Sequence, residues 1–375
     1  MYSAHGRVGS RSSRVGLLVN PIAGLGGEVG LGGSDGADVQ AAATALGGRP
    51  RAPERAARFV RELQRLAPTA QLVSASGELS GGAAPIAERL QGPWPSRGAT
   101  AAADTTALAA ALADSGVEIV VFVGGDGTAR DVLAGVPHGQ LCLGVPAGVK
   151  MHSGVFAVTP EDAAHQVAEL LAGRGRSAWR DVADLDEEAR RAGVLSAAVF
   201  GTMLVPAHDR VQRGKRSPAH GSGIDAAGAA TEVLAQAGPR PIVFGPGTTV
   251  GSVAAQLGVA STLLGFDIAE PDGTHHLGVS GADLEQRLLG RDFVVVLSPV
   301  GGQGFVIGRG NHQLTERILA ALDPSRLIVV AEQAKLGELG GVLRVDAPSA
   351  ELNDKFRGFC RVVLGAGDIA IARVE

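Results

Sequence analysis

EIVVFVGGDGTAR, residues 118–130, is the stretch that decides how the rest of the chain is read. Ile119 to Val123 are apolar or β-branched and predict a buried strand. The strand runs into Gly124-Gly125-Asp126-Gly127-Thr128. TARDVL then starts like a helix, with Thr128 and Asp131 spaced as a capping pair. A strand, a glycine turn and a helix N-terminus together make an anion site. Glycines let the backbone approach a ligand, and the free N–H groups of the first turn favour phosphate. A carboxylate at the tip, Asp126, repels phosphate unless it holds Mg²⁺ or takes a proton, and phosphoryl transfer uses both. The same four residues, Gly-Gly-Asp-Gly, also suit a plain tight turn. The local pattern leaves both readings open.

Outward from this stretch, strands and helices alternate. Arg14–Val19 reads as a strand ending in the turn Asn20-Pro21-Ile22-Ala23-Gly24. Pro53–Ala67 carries a helical stripe of Ala56, Val60, Leu63 and Ala67. Gln71–Ala75 is a weaker strand. Asp104 is read as the cap of a helix ending before Gly116. Leu141–Val145 is a strand leading to Pro146-Ala147-Gly148. Thr159-Pro160-Glu161-Asp162 starts a helix that runs to about Leu171. Strand–helix alternation predicts an α/β doubly wound parallel sheet, with ligands beside the carboxyl ends of its strands.

After about Arg180 the apolar segments shorten and Gly and Pro separate them: Val194–Val205, Pro241–Phe244, Phe293–Leu297, Gly304–Ile307, Leu327–Val330, Val342–Val345 and Phe359–Val363. Only Ala226–Gln236 and Gln313–Leu322 read clearly as helices. The expected organisation is a disordered tail over 1–14, an α/β nucleotide-phosphate domain over 15–180, and a β-rich acceptor-binding domain over 181–375. The acids Asp181, Asp184, Asp186, Glu187 and Glu188 at the junction read as a solvated helix start.

Composition narrows the function. With 375 residues and 45% apolar residues, the chain can build about two cores. Aromatics are only 3%, which gives no stacking platform for single strands, and the net charge of −4 argues against a nucleic-acid partner. Cys142 and Cys360 are too far apart in sequence for a C-x-x-C, and a reducing, cytoplasmic setting fits. The histidines form no H-E-x-x-H; His275-His276 reads as a solvated loop. The first 14 residues lack a signal-like apolar core. The longest charge-free run, Pro241 to Phe266, is too glycine-rich to read as a membrane span. The partners expected are therefore small nucleotide substrates, without membrane or nucleic acid. A homo-oligomer is also expected, though no residue here carries that expectation.

Three loops follow first-half strands: NPIAG (20–24), GGDGT (124–128) and PAGVKMHSG (146–154). In this order and spacing they resemble the NAD kinase, diacylglycerol kinase and phosphofructokinase superfamily. Longer blocks resemble the branch of predicted polyphosphate- or ATP-dependent NAD kinases, which includes the acetoin-catabolism X proteins. These blocks are GLLVNPIAGLGGEVGLGGSDG (16–36), FVGGDGTARDV (122–132), LGVPAGVKMHSGVFAVTP (143–160), FGPGTTVGSVAAQLG (244–258), STLLGFD (261–267), SPVGGQGFVIGRGN (298–311), IVVAEQAKLGELGG (328–341) and LRVD (343–346).

The resemblance implies a two-domain kinase fold and roles for named residues. Asp126 is similar to the superfamily's catalytic acid residue. Asn20, Gly24, Gly124, Gly125, Gly127 and Thr128 resemble contacts to the donor phosphates, and Lys150 stands beside them in a chain with four lysines. On the acceptor side the expectation covers His152, Ser153, Gly247, Thr248 and Thr249. It extends to the glycine-rich run Gly301, Gly302, Gln303, Gly304, Arg309 and Asn311, which on its own reads equally as a hairpin. Lys150 likewise suits an exposed loop. The implied activity is phosphoryl transfer from ATP or polyphosphate, with Mg²⁺, to the 2′-hydroxyl of NAD. Two departures bear on the acceptor. No Asn-Glu dipeptide of the kind NAD kinases carry is present. Ala147-Gly148-Val149-Lys150-Met151-His152 stands where lipid kinases have Gly-Thr-x-Asn-Asp. A kinase of another small hydroxyl metabolite, an acetoin-related one included, and a non-catalytic nucleotide-binding protein are the other readings.

Overall fold

The computed structural model describes residues 13–27, 29, 37–83, 85–95, 99–148, 151, 153–185, 197–207, 224–300 and 304–375. Lys150, His152, Gly301, Gly302, Gln303, the first 12 residues of the tail expected over 1–14 and the acids Asp186, Glu187 and Glu188 lie outside them, while Arg14 belongs to the first strand. By contact, the chain falls into two compact units. The first comprises residues 1–21, 52–146 and 154–211; the second comprises 22–51, 147–153 and 212–375.

In the first unit, β1 (Arg14–Val19), β2 (Gln71–Ala75), β3 (Glu88–Leu90), β4 (Ile119–Gly124) and β5 (Cys142–Pro146) form one parallel sheet in the order β3-β2-β1-β4-β5. Every residue of β4 and β5 is buried, as befits strands covered on both faces. The second unit contributes α1 (Ala37–Ala45). Around the first sheet lie α2 (Ala52–Leu66), α3 (Ala102–Asp114), α4 (Asp126–Gly135) and α5 (Pro160–Leu171). Helix α2 packs on α5 and α3 on α4. The α2 stripe of Ala52, Ala56, Phe59, Val60 and Leu63 is buried, and Arg58 clamps Glu161 of α5 through bonds of 2.8 and 2.9 Å. Helix α5 starts as its sequence predicts: Pro160 opens it and Thr159 Oγ1 accepts from the Asp162 amide at 3.0 Å. β6 (Arg176–Leu185) and β7 (Ala197–Ala207) pair as an antiparallel hairpin.

Three local expectations need correction. Asp181 and Asp184 are strand residues of β6 rather than a helix start, and Asp184 meets Arg130 at 3.3 Å. Asp104 is the third residue of α3, not its cap. The residue before the helix is Ala101, which has no capping side chain, so Asp104 reaches back to the Ala101 amide at 2.8 Å. Thr128 lies within the first turn of α4, because that helix already begins at Asp126.

The second unit is richer in strands, and it also carries more helix than its sequence suggests. Its elements are α6 (Ala226–Ala237), β8 (Ile242–Phe244), α7 (Thr248–Gln256), β9 (Phe266–Ala269), β10 (His275–Val279), α8 (Gly281–Leu288), β11 (Val294–Leu297), β12 (Phe305–Ile307), α9 (Glu316–Ala321), β13 (Leu327–Val330), α10 (Gln333–Glu338), β14 (Val342–Val345), α11 (Ala350–Phe356), β15 (Gly358–Gly365) and β16 (Asp368–Val374). They build a nine-stranded mixed sheet, β10-β9-β8-β11-β13-β15-β16-β14-β12. Strands β8, β11, β13 and β15 run parallel within it. Alternate residues feed two cores: Val243, Val295, Leu297 and Val329 enter one, and Phe244, Val294, Val296 and Val330 the other. The sheet is thus buried on both faces. His275 and His276 lie on β10, an edge strand, and not in a loop. Cys142 and Cys360 are free thiols. Among the described residues, no helix is long and apolar enough to cross a membrane.

Candidate phosphoryl-transfer site

The strand order of the first sheet reverses between β1 and β4, because β2 lies on one side of β1 and β4 on the other. Chains leaving such a pair diverge and open a crevice at their carboxyl ends. Val19 is in register with Val123, so Asn20 and Gly124 are the next residues at that point. The Asn20 amide donates to Val123 O at 3.0 Å, and its side-chain Nδ2 donates to Thr128 Oγ1 at 2.9 Å. The loop after β1 is therefore pinned to the first turn of α4.

Gly125 is the extended residue before α4, and no side chain caps the helix there. A helix N-terminus of this kind suits an anion, because its first N–H groups point out of the helix. Asp126 is the first helical residue and is 6% exposed. Its carboxylate stands at the positive end of the helix dipole. Gly124 leaves room that the turn needs: a Cβ there would lie 2.3 Å from Thr128 Oγ1 and 2.5 Å from Thr128 Cβ. Asn20, Gly124, Gly125, Asp126, Gly127 and Thr128 are thus brought together in the first unit.

Gly24 and Ser153 belong to the second unit. Gly24 has φ +84° and packs so closely that a Cβ would meet Ala147 O at 2.6 Å. Ser153 is buried. Gly247, Thr248 and Thr249 form a second strand–glycine–helix junction, where Gly247 (φ 118°) precedes α7. The Gly247 amide donates to Leu263 O at 3.0 Å, and the Gly245 amide to Val296 O at 2.9 Å. Asp267, fully buried, holds the neighbouring loop: it accepts from the Thr262 amide at 2.7 Å, from Thr262 Oγ1 at 3.0 Å and from the Gly278 amide at 2.8 Å. Thr248 is exposed.

The loop after β11 continues past Ser298 to Val300, whose amide bonds Phe305 O at 2.8 Å at the head of β12. Gly304 adopts φ +75°, with Val342 O only 3.2 Å from where a Cβ would be. Arg309 is buried, with Nε 3.0 Å from Asp346 and its guanidinium 4.5 Å over the Phe305 ring. Burial pushes its pKa down while Asp346 pushes it up. Asn311 has both ends of its amide engaged: Oδ1 accepts from the Gly308 amide at 2.8 Å and Nδ2 donates to Val306 O at 2.8 Å. It shapes its own loop. Sequence reading passed over Asp267, although STLLGFD was among the matched blocks, and over Arg51 and Asp346.

Among the described residues, no group of three or more His, Cys, Asp or Glu side chains could cage a metal. Asp126 offers one carboxylate. That fits Mg²⁺ arriving with its phosphates, since this ion keeps several waters and takes one or two carboxylates.

The geometry defines an α/β protein with a glycine turn and a helix N-terminus at the switch point of its parallel sheet. Two family models match the chain: the ATP-NAD kinase N-terminal domain over residues 15–175 and the ATP-NAD kinase C-terminal domain over residues 240–374. The chain belongs to the ATP-NAD kinase family. It is a phosphotransferase with a hydroxyl acceptor, and its two domains are those of a kinase acting on NAD. No curated protein and no solved structure matches it.

Proposed function

We propose that this chain transfers a phosphoryl group from ATP or polyphosphate to the 2′-hydroxyl of NAD⁺, giving NADP⁺. The observation that carries the reading is Asp126 at the first position of α4, beside the Asn20–Thr128 bond and the glycine turn. In this reading Asp126 takes the acceptor hydroxyl's proton or orients Mg²⁺. Asn20, Gly124, Gly125, Gly127 and Thr128 hold donor phosphates through backbone amides and hydroxyl. Bound Mg²⁺ would neutralise charge on the donor. Gly247, Thr248, Thr249, Gly304 and Arg309 are the acceptor contacts we propose on the second unit. Gly24 and Lys150 are proposed for the donor phosphates, and Ser153, His152, Gly302 and Gln303 for the acceptor, Lys150, His152, Gly302 and Gln303 as sequence-based candidates. The setting we propose is the cytoplasm.

The missing Asn-Glu dipeptide favours a second reading, in which the acceptor is another small hydroxyl metabolite. One assay separates the two: NADP⁺ formation with Mg²⁺ and either ATP or polyphosphate, at varied NAD⁺. Formation of NADP⁺ supports the first. A chain that binds nucleotide, hydrolyses or transfers phosphate, and makes no NADP⁺ with either donor supports the second.

A further inference from the structure

Asp267 is a fully buried acid to which the phosphoryl-transfer reading gives no part. It lies on β9 opposite Phe244, the last residue of β8, and the GPGTT turn leaves the sheet at the next residue, Gly245. Both of its carboxyl oxygens accept. Oδ2 takes the Thr262 amide at 2.7 Å, Oδ1 takes the Gly278 amide at 2.8 Å, and Thr262 Oγ1 donates to Oδ1 at 3.0 Å. Gly278 has φ +62° and sits where the β9–β10 register shifts. A Cβ on Gly265 would lie 2.6 Å from Thr262 Oγ1 and 3.2 Å from Gly278 Cα, so the loop closes tightly around the acid. Its tip has no apolar anchor, because Leu263 and Leu264 are 52% and 46% exposed. The GPGTT turn nevertheless leans on this loop. The Gly247 amide donates to Leu263 O at 3.0 Å, and a Cβ on Gly251 in α7 would lie 3.2 Å from Ser261 Oγ. A short chain therefore runs from Asp267 to Thr262, on to Leu263 O, and across one bond to Gly247. Burying an acid against neutral donors costs more than apolar packing would, and what it adds is a fixed geometry.

We propose that Asp267 is a positioning residue for the NAD⁺ acceptor. Through the Thr262–Gly265 loop it sets where Gly247, Thr248 and Thr249 stand, without touching the ligand itself. The proposal rests on the reading of GPGTT as an acceptor contact.

The test compares wild type with Asp267→Asn, Thr262→Val and Thr262→Ser in the full chain. Asp267→Asn sets an NH₂ against the amide of either Thr262 or Gly278, donor facing donor. Thr262→Val keeps the shape and loses the hydroxyl bond, whereas Thr262→Ser keeps the bond. Melting curves are recorded, NAD⁺ is titrated calorimetrically, and KM is measured for NAD⁺ and for the donor. Asp267→Asn is expected to weaken NAD⁺ binding and raise its KM by roughly 10–100-fold, the scale for displacing a binding group by about 1 Å, with the donor KM unchanged. Thr262→Val should act in the same direction by roughly three- to tenfold, the scale of one hydrogen bond, and Thr262→Ser should restore the wild-type values. If Asp267→Asn does not fold, the two Thr262 variants decide alone. NAD⁺ affinity and KM within about twofold of wild type in the folded variants would overturn the proposal even if NADP⁺ is made. An equal rise in the donor KM also overturns it, since that marks general damage to the fold. A wild type that binds NAD⁺ but makes no NADP⁺ overturns the kinase reading, and the binding comparison still decides the role of Asp267. A wild type that binds no NAD⁺ overturns both.

Discussion

Asn20 Nδ2 donates to Thr128 Oγ1 at 2.9 Å, joining residues 108 apart in the chain. The bond uses a Thr128 lone pair, so the hydroxyl proton remains directed elsewhere, and the side chain can still donate to a phosphate oxygen. Asn20→Ala is expected to destabilise the protein by about 1 kcal/mol, the net worth of one hydrogen bond. It should also raise KM for the phosphoryl donor. Urea melts and donor titrations read the two effects, and an unchanged donor KM would take Asn20 out of the binding loop.

Asp126→Asn should fold normally and lose turnover by roughly 10²–10⁴-fold, the range for general acid–base catalysis. Its loss of charge at the start of α4 should cost about 0.3–1 kcal/mol of stability. Initial rates beside a melting curve decide it. Near-normal kcat in a folded variant excludes Asp126 from the chemistry.

Two adjacent glycines should respond differently. Gly124→Ala forces a Cβ to within 2.3 Å of Thr128 Oγ1, so α4 must shift. A loss of about 1–3 kcal/mol is expected from overpacking. Gly125 is extended, with φ −116° and ψ −164°, a conformation any residue adopts. Gly125→Val should therefore keep its stability better while blocking backbone approach to phosphate. Unchanged nucleotide affinity in that variant would place the phosphate elsewhere.

Asn311 and Thr248 separate loop shape from acceptor contact. Asn311→Ala leaves the Gly308 N–H and the Val306 carbonyl without their partner in a buried loop. The expected loss of stability is about 1–3 kcal/mol per unsatisfied group. Thr248 is exposed, so Thr248→Val should melt like wild type and raise KM for NAD⁺ by up to about tenfold. If Thr248→Val changes neither, the GPGTT turn does not touch the acceptor.

Burial pushes the Cys142 thiol from 9.0 up to about 12 and that of Cys360 to about 11. For these acids the neutral form is favoured by folding. Their contribution is intact below pH 9 and drains as pH rises from there through the folded values. Alkaline melts should show Cys142→Ala losing less stability than wild type between pH 9 and about 12. At pH 8 a thiol reagent should label Cys142 only after denaturation.

The strands around GGDGT were legible because they are long, apolar and closed by glycine or proline. The helices of the second unit were not. Helix α7 opens with Gly247-Thr248-Thr249 and contains Gly251, poor helix formers that read as a turn. Helices α10 and α11 have only 6 and 7 residues, too short for a clear period. Thr128 and Asp104 were each misplaced by three residues, because the true caps, Gly125 and Ala101, carry no capping side chain. At the candidate site, Asp126 and its glycines carry a local signature. The ion pair of Arg309 carries none, since its partner Asp346 lies 37 residues further along the chain.

Residues 22–51 pack with a unit whose bulk begins only at residue 212. During synthesis, Ala23, Leu25 and Ala43, all buried in the finished protein, leave the ribosome well before most of that unit exists. Nascent domains usually fold in order of emergence. Here the early segment has to wait for the rest of its unit before its apolar side chains can be buried there. The same interleaving forbids any single cut that would leave two whole halves. Insertion, swapping and recombination therefore have to treat the chain as one inheritance.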